Sequence, residues 1–283
     1  MENKENKNNG NLIERTKTAL VEALDENGNG VIDLEDVLIK GLRVPGIKID
    51  REDFLRKQLF KLYPEETINT VVEQSPMKAG IPLKEIEKIA NSVIKYERNC
   101  VAGISTALGI PGGWAMVATI PADIAQYYGY LLRATQKLLY LYGFPQIDVS
   151  EKGGVFDDAT MNTLIVCFGV MNGVAGANGA LKTIATALGN GVEKQLIRKA
   201  LTKGTIYPIV KKVSAWFGLK MTKEVFAGFF KKAIPIVGGL IGGGLTYISF
   251  KPCCVSLKKC LENTVLSNPK YNPVYEDELL DEE

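Results

Sequence analysis

The 283-residue sequence contains no histidine. This absence excludes Ser-His-Asp and Cys-His catalysis, histidine-ligated zinc and a histidine-based pH switch. The five cysteines form no CxxC pair, and their number is odd. Because no signal peptide is recognisable, we expect free thiols in the reducing cytoplasm. The adjacent Cys253 and Cys254 are either redox-active or lipidated or, as is commoner for free cysteine, small apolar core residues.

Strand signals are nearly missing, since no alternating runs of Val, Ile and Thr are bounded by hairpin turns. Apolar residues instead recur at helical spacing. The sequence predicts an all-α multi-helix bundle with a glycine-rich apolar core, preceded by a single EF-hand-like helix-loop-helix. The predicted segments are a disordered N-terminus (1–11), the helix-loop-helix (12–43), a linker with short helices (44–80), a helical domain (81–263) and an acidic disordered tail (264–283). Asp50 is predicted to cap the first helix of the linker, and Asp157 with Asp158 to cap a helix of the helical domain.

Charge is missing from three long stretches, residues 99–122, 159–181 and 233–250. The second is long enough to cross a bilayer, which takes about 20 residues, but it is only mildly apolar. The third is rich in glycine, and small residues let helices pack closely in water or in lipid. Three interpretations remain open: a tightly packed soluble core, a helical hairpin that inserts conditionally, and stable residence in a membrane.

The stretch Gly109–Gly143 predicts a central helix. Pro121 and Asp123 indicate its start, and Gly143 followed by a proline indicates its end. We expect a core helix whose single polar stripe lies at the surface; the alternative is that Asp123, Gln126 and Arg133 line a pore or a site. The stripe has a 3-4-3-4 spacing and comprises Asp123, Gln126, Tyr130, Arg133 and Lys137.

This stretch carries a family resemblance. GIPGGWAMVATIPADIAQYYGYLLRATQKLLYLYG, together with the later IPIVGGLIGGGLTYISF, resembles the EcsC family of bacterial proteins. The resemblance extends from Ile81 to Phe250 and implies a fold more than an activity. The family is named for a gene beside an ABC-transporter operon and has no established reaction, so the resemblance implies no catalytic residue.

The sharpest chemical motif is the twelve-residue stretch DENGNGVIDLED, residues 25–36. Oxygen-bearing side chains occupy loop positions 1, 3, 5, 9 and 12, a glycine lies at position 6, and position 7 offers a backbone carbonyl. The pattern predicts a calcium site, and the aspartate at position 12, where the motif has glutamate, makes magnesium more competitive. The alternative is a turn that binds no metal. The candidate ligands are Asp25, Asn27, Asn29, Val31, Asp33 and Asp36.

The net charge of +2 hides strong segregation. Residues 191–270 contain 14 Lys and Arg against three acids, whereas the tail from Tyr271 contains six acids and no base. Amphipathic helices predicted at 194–201, 206–217 and 225–230 carry lysine opposite apolar residues, which is typical of contact with anionic lipid. The alternative is a solvated face. The tail either folds back over the basic helices or stays solvated.

These patterns predict a non-enzymatic, membrane-associated helical protein with a divalent-cation site. We expect it in the cytoplasm, peripheral to or conditionally inserted at the inner face of the cell membrane. The alternative is a soluble cytoplasmic interaction protein, an accessory to a transporter or another protein partner, with calcium as a structural clip. An enzyme is least expected, because no nucleophile is spaced with a base and no small-molecule substrate is indicated. Nucleic acid is not expected as a partner, because no binding motif is present and arginine is scarce in the basic section.

Overall fold

A computed structural model of the chain describes residues 32–108, 115–149, 157–192, 194–217 and 238–268, together with residues 22, 25, 26, 28 and 270 singly. The described part contains no strand, which confirms the all-α prediction. The predictions for residues 1–11, for a helix at 12–24, for the helix at 225–230 and for the tail from Tyr271 lie outside the described residues. The helices are α1 (Leu34–Arg43), α2 (Arg51–Leu59), α3 (Glu65–Glu73), α4 (Leu83–Leu108), α5 (Ala115–Leu141), α6 (Asp158–Met171), α7 (Ala177–Gly189), α8 (Lys194–Lys203), α9 (207–217) and α10 (Gly238–Glu262).

Helix α5 is the central element, and α1, α2, α4, α6 and α10 all pack against it. Its C-terminal half is almost completely buried, as its apolar composition predicts. The predicted end is confirmed: the helix stops at Leu141, and Gly143 has φ +89°, a conformation that glycine adopts without strain. The predicted start at Pro121 is wrong, because the helix begins at Ala115. A proline so near the start removes one backbone hydrogen bond and still leaves the preceding apolar residues helical.

The apolar core is continuous from α1 to α10. Leu38 of α1, Leu55 of α2 and Val71 of α3 belong to the same buried cluster as Leu138 and Leu257. The N-terminal helices are therefore packed onto the helical body, while the exact division at residues 43 and 80 stays a prediction. Two predicted details are confirmed in this region: Asp50 caps α2 by accepting the backbone N–H of Asp53 at 2.8 Å, and a short helix follows at Glu65–Glu73.

Helices α1 and α5 cross at two glycines. A Cβ atom added to Gly41 would lie 3.0 Å from the backbone nitrogen of Gly129, and one added to Gly129 would lie 3.2 Å from the carbonyl oxygen of Gly41. Real Cβ contacts are rarely this close, so the two backbones approach at a distance that only glycine permits. The exit helix of the predicted metal loop is thus held directly against the central helix.

The charge-free stretch 159–181 is not one long helix. Helix α6 ends at Met171, Gly173 and Gly176 turn the chain with φ +69° and +89°, and α7 begins at Ala177. The stretch is therefore divided between two helices, because two glycines in the left-handed region end the first one. Asp157 caps α6 as predicted, accepting the N–H of Thr160 at 3.0 Å. Across the described ranges, no helix has both the length and the apolar character needed to cross a membrane.

Candidate metal loop and basic surface

A capping box fixes the C-terminal end of the predicted metal loop at the start of α1. Asp33 Oδ1 accepts the N–H of Asp36 at 3.1 Å, and Asp36 Oδ2 accepts the N–H of Asp33 at 2.9 Å. Asp36 Oδ1 also accepts the N–H of Glu26 at 2.9 Å, and the Asp36 side chain is fully buried. The carboxylate of the last residue therefore binds the second residue of the twelve-residue loop.

The predicted ligands are only partly brought together. Asp25 Oδ1 accepts the N–H of Gly28 at 2.8 Å, which curls the first part of the loop. In the described part of the chain, no three or more acidic, Cys or His side chains are grouped so as to hold a metal ion. Asp25, Asp33 and Asp36 are thus placed around the loop without converging. The other three candidates lie outside the described residues: Asn27, Asn29 and Val31.

The arrangement of the described residues is compatible with a bound cation. The closure of the loop agrees with a twelve-residue cation loop, whose first and last positions must be adjacent. Both oxygens of Asp36, however, accept backbone N–H groups. Each carboxylate oxygen has a second lone pair, so a cation can take Asp36 as a ligand on the lone pairs that the N–H groups of Glu26 and Asp33 leave free.

Glu26 adds an electrostatic link between the loop and α1. It forms ion pairs with Lys40 and Arg43 in the last turns of that helix. Burial alone raises the pKa of Glu26, but the two cations more than offset this effect and lower the pKa below its usual value. The loop is therefore attached to α1 at both of its ends.

Two residues of the predicted polar stripe are turned inward. Arg133 and Lys137 of α5 form ion pairs with Glu97 of α4, whose side chain is fully buried, and Arg133 Nε lies 3.1 Å from Glu97 Oε1. The Lys137 ammonium also lies 5.6 and 5.7 Å from the ring centroids of Phe54 and Tyr96. Burial lowers the pKa of Lys137 although Glu97 opposes the shift. The surface location predicted for Lys137 is wrong, because α4 supplies a buried carboxylate, whereas Arg133 stays partly exposed.

The rest of the stripe is described only in part. The side chain of Asp123 lies outside the described residues, while Gln126 and Tyr130 are partly exposed. The pore interpretation gains no support from these positions. Sequence reasoning missed Glu97, although a signal was present: it continues the buried series Ala90, Val93 and Val101 on α4 at helical spacing.

Helix α5 also holds the chain between α1 and α2. Arg133 Nη1 donates to the carbonyl of Gly46 at 2.8 Å, and Gln136 Nε2 donates to the carbonyl of Ile47 at 3.0 Å. The N–H of Ile49 donates to Gln136 Oε1 at 3.1 Å. The side chain of Gln136 thus pairs with this segment as a backbone amide does, a role that its sequence position did not reveal.

A cleft of about 540 Å³ lies beside the N-terminus of α2 and the C-termini of α3 and α7. Half-buried Arg51 donates to the carbonyls of Phe144 at 3.1 Å, Val72 at 2.6 Å and Val71 at 3.2 Å. The carbonyls of Val71 and Val72 lie in the last turn of α3, where a helix leaves its carbonyl groups without a partner in the helix. Arg51 therefore acts as a structural clamp at this cleft.

All five cysteines are free. Cys254 is fully buried, and burial raises the pKa of its thiol well above the usual value. Burial likewise raises the pKa of Cys260 to about 11. Thiols in this state are poor nucleophiles at neutral pH, which agrees with a packing role.

Helices α8 and α9 form a basic face, which we define as the exposed side chains Arg198, Lys199, Lys203, Lys211 and Lys212. Arg198 Nη1 lies 2.9 Å from Asp157 Oδ1, whereas Lys199, Lys203 and Lys212 form no ion pair within the described residues. The amphipathic helix predicted at 206–217 is confirmed, because α9 has one buried apolar side. Its buried apolar side chains, with the residue before it, are Ile206, Val210, Val213 and Phe217.

The apolar face predicted for α8 is only partly correct. Leu201 is buried, but Leu196 is 57% exposed. Leu196 lies one turn before Lys199, so the start of α8 presents an apolar and a basic side chain together. This combination suits a surface that is both apolar and anionic.

Comparisons of the chain with protein-family models, with curated proteins and with solved structures found no match, and they therefore assign the chain to no family.

Proposed function

We propose that this protein is a non-enzymatic, membrane-associated helical protein that contacts anionic lipid through the basic face. The observation that carries the proposal is the division of α8 and α9 into a buried apolar side and an exposed lysine side. Residues 194–217 contain six Lys and Arg and no acid. Near an anionic membrane each such residue contributes about 1 kcal/mol of attraction. Exposed Leu196 adds an apolar contact.

We also propose that the chain belongs to the EcsC family, because residues 109–143 and the glycine-rich segment near residue 240 resemble that family. A family named for a gene beside a transporter operon agrees with a location at the inner face of the cell membrane. A transporter is then the protein partner that this proposal favours.

The same proposal includes a divalent-cation site, calcium first and magnesium second, in the loop 25–36. Asp25, Asn27, Asn29, Val31, Asp33 and Asp36 would hold the ion. Such an ion would supply no reaction chemistry; it would stabilise the loop against α1. Support comes from the closure of the loop by Asp36 and from the attachment of α1 to the central helix.

Vesicle flotation tests the lipid contact. We expect the protein to float with phosphatidylglycerol-containing vesicles and to stay unbound with pure phosphatidylcholine. The triple substitution Lys199→Gln, Lys203→Gln and Lys212→Gln should abolish flotation. The matched control changes three exposed lysines elsewhere, Lys61→Gln, Lys84→Gln and Lys95→Gln, and removes the same charge. A protein that stays in the soluble fraction with every lipid supports the soluble interaction protein instead.

Titration calorimetry with millimolar calcium tests the cation site. We expect heat of binding and a higher unfolding temperature for the native chain, and the loss of both in Asp25→Ala. Glu66→Ala, an exposed substitution on α3, is the control. No heat, together with an unchanged melting curve in Asp25→Ala, shows that the loop binds no metal.

A further inference from the structure

The basic face carries more positive charge than its described neighbours neutralise. The segment 194–217 has six basic residues and no acidic one. Asp157 pairs with Arg198, but no carboxylate among the described residues pairs with Lys199, Lys203 or Lys212. An uncompensated cluster of this kind attracts an anionic partner.

The C-terminal tail carries the matching charge. Residues 271–283 contain six acids and no base, so their formal charge is equal and opposite to that of residues 194–217. Other parts of the chain are close to balance: residues 101–190 contain four bases and five acids. Among these segments, the tail is thus the electrostatic complement of the basic face.

The chain runs from α10 towards the beginning of α8. After α10, Val265 and Leu266 pack against Gly189, the last residue of α7: a Cβ added to Gly189 would lie 2.9 Å from Val265 Cγ2. Four residues separate Gly189 from Lys194, the first residue of α8. Val265 and Leu266, from which the chain continues to the tail, therefore lie at the C-terminal end of α7, five residues before α8 begins.

The length of the tail is sufficient to reach the lysines. Its first acid, Glu276, follows Leu266 by ten residues, which span at most roughly 35 Å when extended. The step from Gly189 to Lys194 covers at most about 18 Å. Helix α8 adds about 15 Å at 1.5 Å per residue. Lys199 and Lys203 lie within these limits, so the carboxylates can reach them.

We propose that residues 271–283 dock on the basic face and compete there with anionic lipid. The lipid part of this inference rests on the function proposed above; the docking itself does not. Single surface ion pairs are weak, but a tethered segment has an effective concentration in the millimolar range. The tail therefore keeps dilute soluble anions from the lysines, whereas a vesicle surface, with many headgroups side by side, displaces it.

Carbodiimide coupling tests the docking without lipid. The reagent joins a carboxylate to a nearby amine as an amide, with loss of water, and mass spectrometry locates the product. We expect products between tail carboxylates and Lys199, Lys203, Lys211 or Lys212, and their loss in molar salt, where charges are screened beyond about 3 Å. The pair Lys88–Glu85, whose atoms lie 2.7 Å apart, is the internal positive control. Coupling of Lys88 without any product at the basic face overturns the docking.

Vesicle binding tests the competition. The substitutions Glu276→Gln, Asp277→Asn and Glu278→Gln should tighten binding to phosphatidylglycerol vesicles about tenfold. The matched control neutralises three exposed acids of α3, Glu65→Gln, Glu66→Gln and Glu73→Gln, and should change binding less than about twofold. An equal gain in both variants shows a general effect of net charge and overturns the competition. If cross-links form at the basic face but the protein binds no vesicle, the docking is supported and the lipid function is rejected. If the protein binds vesicles but forms no such cross-links, the lipid function is supported and the docking is rejected.

Discussion

The helix pair α4–α5 and the helix pair α8–α9 use the same charged residue types in opposite ways. Arg133 and Lys137 of α5 face inward and share the buried carboxylate of Glu97. Lys199 and Lys203 of α8 face solvent and form no ion pair within the described residues. A lysine on an apolar helix therefore indicates a binding surface only where the facing helix offers no buried acid.

The largest effect that sharpens this comparison is expected from Glu97→Gln. The substitution keeps the size of the side chain but leaves the charges of Arg133 and Lys137 without their buried partner. Removing one member of a buried ion pair costs about 3–5 kcal/mol. We expect a loss of that size in the free energy of unfolding measured in urea.

The control for Glu97→Gln is Lys199→Gln, which removes one charge from the basic face. If the two variants unfold at the same urea concentration, the α4–α5 ion pairs contribute nothing, and the contrast between the two helix pairs disappears.

Sequence reasoning predicts features that depend on neighbouring residues and misses those that depend on the facing helix. Asp50, Asp157 and Gly143 were predicted correctly because caps and stops depend on a few neighbouring residues. Glu97 was missed because its role depends on which helix faces it, and helical spacing alone does not specify that. Pro121 was misread because an early proline is compatible with both a helix start and a helix interior.

The metal loop shows a related limit. Its oxygen spacing is readable from the sequence, and in the structure Asp36 at the last position accepts the N–H of Glu26 at the second position. The orientation of Asp36, however, is fixed by the backbone N–H groups of Glu26 and Asp33. Spacing alone does not reveal these hydrogen bonds.

The second prediction concerns alkaline pH and the buried thiol of Cys260. Burial raises its pKa from 9.0 to about 11, so the folded protein keeps the proton that the unfolded chain loses first. The resulting stabilisation is complete below pH 9 and is lost as the pH rises to 11. Between these values the native protein should lose about 2 kcal/mol more than Cys260→Ala.

Chemical unfolding of both proteins at pH 8.5 and pH 11 measures this difference. Lys199→Gln, which changes only the basic face, should follow the native curve. A Cys260→Ala variant with the same pH dependence as the native protein would mean that water reaches this thiol.

The third prediction compares two glycines of equal helical context. In Gly41→Ala the new methyl group would lie 3.0 Å from both Gly129 N and Leu132 Cδ1, at the crossing of α1 and α5. Overpacking of this kind costs about 1–3 kcal/mol. Gly103→Ala on α4 meets no atom within 4 Å and should stabilise the protein by up to about 1 kcal/mol.

Thermal unfolding gives both values. Because the helix propensity gained is the same at both sites, the difference between the variants isolates the α1–α5 contact. A stabilising Gly41→Ala would show that α1 is loosely held, and the metal loop could then not be attached firmly to the central helix.

The smallest effect on stability is expected from Lys199→Gln, Lys203→Gln and Lys212→Gln combined. Substitutions at exposed residues usually change the free energy of unfolding by less than about 0.5 kcal/mol each, and single surface ion pairs, such as those proposed with the tail, contribute little more. Three charges are removed here, against one in Glu97→Gln, so stability should not follow the number of charges. Differential scanning calorimetry at low and at physiological salt measures the change. A loss above about 1.5 kcal/mol would mean that these lysines have stronger partners inside the molecule, and a loss that disappears in salt would identify those partners as carboxylates. The tail is the segment whose charge fits that role, so the smallest predicted effect also separates a solvated basic face from one that the chain itself covers.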